Sequence, residues 1–104
     1  MDAPLLPVTD HQKQCGWRLR KLIEAMDLGQ VEAAADMGVT KMVLNNWLRG
    51  DSYPAPYALY RFARLRHVNL YEYVFLGDWS AIPSKWSEKL KADAIQTGGR
   101  EGAA

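Results

Sequence analysis

Apolar residues recur at three- and four-residue intervals through most of the chain, which is the spacing of helices with one buried face. Leu19, Leu22, Ile23 and Met26 form the first such stripe, with Arg18, Arg20, Lys21 and Glu24 between them. Thr9 followed by Gln12 makes a capping box, so the spacing predicts helix 1 from near Asp10, behind an N-terminal arm of residues 1–9. Asp27 tolerates a left-handed backbone, Leu28 folds back on the core, and Gly29 serves as N-cap for helix 2 at Gln30. Ala33, Ala34 and Met37 are its inner side, and the alanines let neighbouring helices approach closely. Gly38 is placed to stop helix 2, because a residue without a Cβ takes the left-handed conformation at little steric cost. Val39 points to the core and Thr40 caps helix 3, Lys41 to Leu48. Leu44, Trp47 and Leu48 share its inner face, leaving Lys41, Met42, Asn45, Asn46 and Arg49 outward.

The run DSYPAP is a turn, and Pro56 suits the first position of helix 4, whose inner face is Leu59, Phe62 and Ala63 and which ends at His67 and Val68. Asn69 with Glu72 is a second capping signature, opening helix 5 over Leu70 to Leu76 before Gly77. A C-terminal extension, residues 79–96, starts a sixth helix at Pro83 with Ile82, Trp86, Leu90 and Ala94 along one side. That stripe either caps the core or meets a second copy of the chain, with Trp86 and Leu90 as the interface. Residues 97–104, rich in glycine and alanine, are expected to be disordered. The class is therefore all-α, with one domain over residues 10–78.

Composition narrows this picture. A chain of 104 residues with 48% hydrophobic residues supports one core and is short for two. No apolar run approaches the roughly 20 residues of a membrane span. The start MDAPLLPVTD lacks the basic and apolar regions of a secretory signal, so a cytoplasmic protein is expected. The net charge of +1 is uneven. Residues 11–67 hold nine Lys/Arg against five Asp/Glu, 9 − 5 = +4, while the flanks are acidic. A solvated surface accounts for such a segment equally well, and it gains weight because it coincides with helices 2 and 3.

Cys15, the single cysteine, excludes an internal disulfide and fits a reducing compartment. His11 and Cys15 share a helical face, yet a structural zinc site wants four ligands and the one other histidine is His67. No metal and no cofactor are expected, and the thiol reads as small and half-buried. No nucleophile–base pair or paired carboxylates converge in the sequence, which argues against an enzyme and a small-molecule substrate.

The segments RLRKLIEAMDLGQ, AAADMGVTKMVLNNWLRG, YPAPYALYRFARLRHV and LYEYVFLGD stand in an order that resembles the phage repressor and Cro (lambda-repressor-like) family of helix-turn-helix regulators, over about residues 16 to 78. The resemblance rests on glutamine opening helix 2, alanine within it, Gly-Val-Thr at the turn, Asn-Trp and Arg-Gly closing helix 3, and a proline-led helix 4. It implies a five-helix DNA-binding domain, bacterial or phage-encoded, that acts as a transcriptional repressor. Its third helix, residues 40–48, would enter the major groove of double-stranded DNA, commonly as a homodimer on a palindrome. On this chain it implies base reading by Lys41, Met42 and Asn46. Contact with the sugar-phosphate chain would fall to Gln30, Thr40, Val43, Asn45, Arg49, Ser52 and Tyr53.

Two departures from the family pattern stand out. Ile23 and Leu48 occupy the places where many members pair a buried arginine with a glutamate; both halves are apolar together, an exchange that is often neutral or stabilising. Val43 stands where a small polar residue is usual, so with Met42 the start of helix 3 is unusually apolar. That allows thymine-methyl contacts, and it equally allows an antitoxin-like or adaptor module whose helix 3 start or Trp86 face binds a protein.

Overall fold

A buried stripe of Cys15, Leu19, Leu22 and Ile23 makes the first helix, α1 (Val8–Ala25), the centre of the molecule. The computed structural model describes residues 5–96, and the regular elements among them are all helices: α1, α2 (Gln30–Met37), α3 (Lys41–Leu48), α4 (Pro56–Arg66), α5 (Tyr71–Leu76) and α6 (Ser84–Gln96). α1 packs against α3, α5 and α6, while α2 packs against α3 and α4. Leu44, Leu59, Phe62, Leu70, Tyr73 and Val74 complete one core with the α1 stripe. Ile23 and Leu48 are both buried in it, as expected for an apolar pair. No helix among the described residues is long and apolar enough to cross a membrane.

The α2–α3 connection forms as its residues dictate. Asp27 takes the left-handed conformation at φ 60°, and Glu32 accepts from the Gly29 N–H at 3.4 Å. Gly38 closes α2 at φ 73°, and its neighbour Val39 turns against the core with its N–H on the Ala34 carbonyl. Thr40 Oγ1 then accepts from the Val43 N–H at 3.2 Å and starts α3. The C-terminal end of α2 is tied to α4: Arg61 Nε donates to the Asp36 carbonyl at 3.0 Å, and Arg66 pairs with the Asp36 carboxylate.

Helix starts differ from the spacing rules at two places. α1 begins at Val8, ahead of Asp10, and Thr9 lies inside it; Pro7 precedes the helix at φ −58° and its carbonyl accepts from the His11 N–H. Pro7 is the N-cap, with ψ 154° outside the helix, and no side chain caps α1. The arm is correspondingly shorter than residues 1–9, and residues 1–4 lie outside the described residues. At α5 the N-cap is Leu70 and the capping box does not form; Asn69 Oδ1 accepts from the Tyr71 N–H instead, at 3.4 Å.

Arg18 corrects the polar side of helix 1. Only 7% exposed, it donates through Nη1 to the Val74 carbonyl and through Nη2 to Gln14 Oε1, both at 3.0 Å. It satisfies a carbonyl of α5, which a buried charge must do to avoid a desolvation cost.

α6 settles against the monomer. Ile82 and Leu90 belong to the shared core and Trp86 packs half-buried against it, with Lys85 Nζ 4.6 Å from the centre of its ring. Leu90 is 2% exposed, covered within the single chain by this core. The side chain of Ala94 and the tail from 97 to 104 lie outside the described residues.

Candidate functional site

Two glycines determine how α3 sits. A Cβ added at Gly16 would lie 2.3 Å from the Trp47 carbonyl oxygen and 2.8 Å from that of Leu48, so the α1 backbone touches the last turn of α3 directly. Beyond that turn Gly50, at φ 82°, abuts the start of α1: a Cβ there would come within 2.7 Å of Lys13 Cα. Hydrophobic spacing alone marks neither position. Glycine inside a helix costs roughly 1 kcal/mol against alanine, and Gly16 in α1 carried that signal of close packing unread.

With Leu44, Trp47 and Leu48 facing inward, α3 presents Lys41, Met42 and Val43 outward at its N-terminal turn, Met42 being 74% exposed. Asn45 and Asn46 follow, both half-buried, and Arg49 ends the face. Arg49 Nη2 donates to Asn46 Oδ1, and Arg49 Nε donates to Asp51 Oδ2 at 3.1 Å. Lys41, Met42 and Asn46 therefore lie on one helix, with Thr40 at its cap. Gln30 lies half-buried at the first turn of α2. Ser52 and Tyr53 follow α3 in the loop, where the Tyr53 hydroxyl is 2.8 Å from His11 Nδ1.

His11 joins three elements. Its Nε2 is 2.9 Å from the Phe75 carbonyl, which can only accept, so Nε2 carries a hydrogen toward it, and Nδ1 pairs with the Tyr53 hydroxyl. The Tyr53 side chain is thereby tied to His11 of α1, with its ring beside Phe75 of α5.

Both His11 nitrogens are engaged, and no group of three or more His, Cys, Asp or Glu side chains that could hold a metal occurs among the described residues. Cys15 is fully rather than half buried, 3.6 Å from His11 Nε2. Burial pushes its thiol up to about 11, against the opposing pull of the Arg18 charge. The folded chain thus holds this proton to higher pH than the unfolded chain does. The associated stability is complete below pH 9.0 and fades as pH rises toward about 11. A thiol reagent at mildly alkaline pH is expected to label denatured protein quickly and native protein slowly; equal rates would refute the burial.

The basic segment is less available than its charge count suggests. Arg18 is buried, Arg61 and Arg66 are committed to α2, and Lys21 and Arg49 pair with Glu24 and Asp51. Lys41 is the cation displayed on the first turn of α3. No family model, curated protein or solved structure matches the chain.

Proposed function

We propose that the chain is a sequence-specific double-stranded DNA-binding regulator, a cytoplasmic repressor of the phage repressor and Cro type, that works as a homodimer and inserts α3 in the major groove. One observation carries this reading: α3 is clamped from behind by Gly16 and Gly50 while Lys41, Met42 and Asn46 share its outward side. The chemistry suits base edges. Lys41 can donate to guanine O6 and N7, Asn46 can bond adenine N6 and N7, and Met42 can lie against a thymine methyl. Gln30 at the start of α2, Thr40, Val43, Asn45, Arg49 and the backbone at Ser52 and Tyr53 would steady the sugar-phosphate chain. The role is binding, with no catalytic step.

Selection of bound fragments from random duplex DNA tests it. The expected result is a palindromic motif with half-sites about 10 bp apart. Lys41→Ala and Asn46→Ala should each cost about 1 to 3 kcal/mol on that motif and little on unrelated DNA. Equal losses on every sequence would remove the base-reading assignment.

A second reading rests on Met42 and Val43, an apolar pair at the front of α3. A face of this kind suits a protein partner in an antitoxin-like or adaptor role. Absence of any enrichment, with no binding even at low salt, would favour it.

A further inference from the structure

Asn46, Arg49 and Asp51 form a continuous polar chain over the end of α3. Asp51 is fixed to this end by its backbone, its N–H donating to the Asn46 carbonyl at 2.9 Å beside the left-handed Gly50. Its carboxylate takes the Arg49 guanidinium through Nε and Nη2, both 3.1 Å from Oδ2, and Arg49 Nη2 reaches on to Asn46 Oδ1. The Arg49 and Asp51 side chains are each 58% exposed, so their attraction adds little to stability. What the chain supplies is direction.

An asparagine amide has two ends of nearly equal size and opposite hydrogen-bonding sense. It matches adenine in one orientation, with Oδ1 accepting from N6 and Nδ2 donating to N7. Arginine can only donate, so Arg49 selects the orientation that brings Oδ1 to it. One oxygen lone pair and both Nδ2 hydrogens remain for a partner. Arg49 is itself aimed by Asp51, and the same carboxylate offsets the charge that Arg49 brings to phosphate.

We propose that Asp51, acting through Arg49, is a positioning residue that sets the amide orientation of Asn46 and thereby the base preference of α3. This rests on the DNA-binding reading above. Two variants separate geometry from charge. Asp51→Asn removes the carboxylate and leaves the Arg49 charge at phosphate uncompensated. Arg49→Lys keeps the positive charge but lacks the planar fork needed to serve both neighbours. Neither position is buried, so both variants should fold.

The experiment uses the duplex enriched by the wild-type chain and the same duplex altered at the base pair to which Asn46→Ala becomes indifferent. Wild-type discrimination between them should be about 5- to 150-fold, the range for one good amide–adenine pair. In both variants it should fall below about threefold. Asp51→Asn should also bind unrelated DNA more tightly, its log K against log salt slope steeper by up to about 0.9, the value for one fully uncompensated phosphate contact. In the free protein, both variants should shift and broaden the Asn46 side-chain NH2 resonances in a nitrogen–proton correlation spectrum. Discrimination retained in both variants, or Asn46 amide resonances that do not move, would overturn the inference and leave the DNA reading standing. A wild-type chain with no preferred duplex would overturn both.

Discussion

Gly16→Val is expected to leave no stably folded protein, and Gly16→Ala to lose about 2 kcal/mol. The atoms in the way are the carbonyl oxygens of Trp47 and Leu48, backbone of the facing helix rather than ends of flexible side chains. They cannot rotate aside, so any Cβ forces α1 and α3 apart. In a solvent-facing helix the alanine would gain roughly 1 kcal/mol of helix propensity. Here overpacking, typically about 1 to 3 kcal/mol for added methylenes in a tight core, outweighs it. Valine adds two methyl groups to the same collision and unpacks Leu44, Trp47 and Leu48 together. Domains of this size hold about 5 to 15 kcal/mol in total, so the loss is decisive. Urea unfolding followed by circular dichroism measures both variants. An unchanged midpoint for Gly16→Ala would mean that the spacing of α1 and α3 adjusts freely, and the clamp on α3 would be lost as an explanation.

Leu90→Ala should cost about 2 to 4 kcal/mol and leave the sedimentation mass as it was. The cost follows from deleting a fully covered leucine whose neighbours belong to the protomer's own core. The mass follows from the same burial, since a side chain already enclosed offers no surface to a second copy. Trp86→Ser, at a half-buried position, should have the smaller effect on stability. A Leu90→Ala protein that kept its stability while its mass halved would show α6 packing between copies instead.

The helices were legible because their buried faces are regular. Leu19, Leu22 and Ile23 in α1, Ala33, Ala34 and Met37 in α2, and Leu44, Trp47 and Leu48 in α3 all fall where a period of 3.6 puts them. Gly38 and Thr40 mark a turn through their local chemistry alone, and both do so in the structure. Spacing failed where the deciding partner lies far along the chain. Arg18 reads as a surface charge until α5 supplies the Val74 carbonyl. Gly16 reads as a weak helix residue until α3 lies across it. Thr9 and Gln12 satisfy a local capping rule, yet the helix starts earlier, with Pro7 as its N-cap and Thr9 inside its first turn. For the candidate site, the sequence placed Lys41, Met42 and Asn46 outward, where the structure also has them. It was silent on the Asp51 and Arg49 bonds, because turn geometry after α3 brings those side chains back over the helix.

α3 divides its residues cleanly between two tasks. The side chains that hold it in place, Leu44, Trp47 and Leu48, are separate from those it displays, Lys41, Met42, Val43 and Asn46. Surface substitutions away from caps and buried bonds usually change stability by no more than about 0.5 kcal/mol. The outward set can thus be exchanged while the scaffold keeps its thermodynamic margin. For protein engineering, Lys41, Met42 and Val43 form a short stretch to randomise, and a library there would test the proposed DNA-reading role separately from folding.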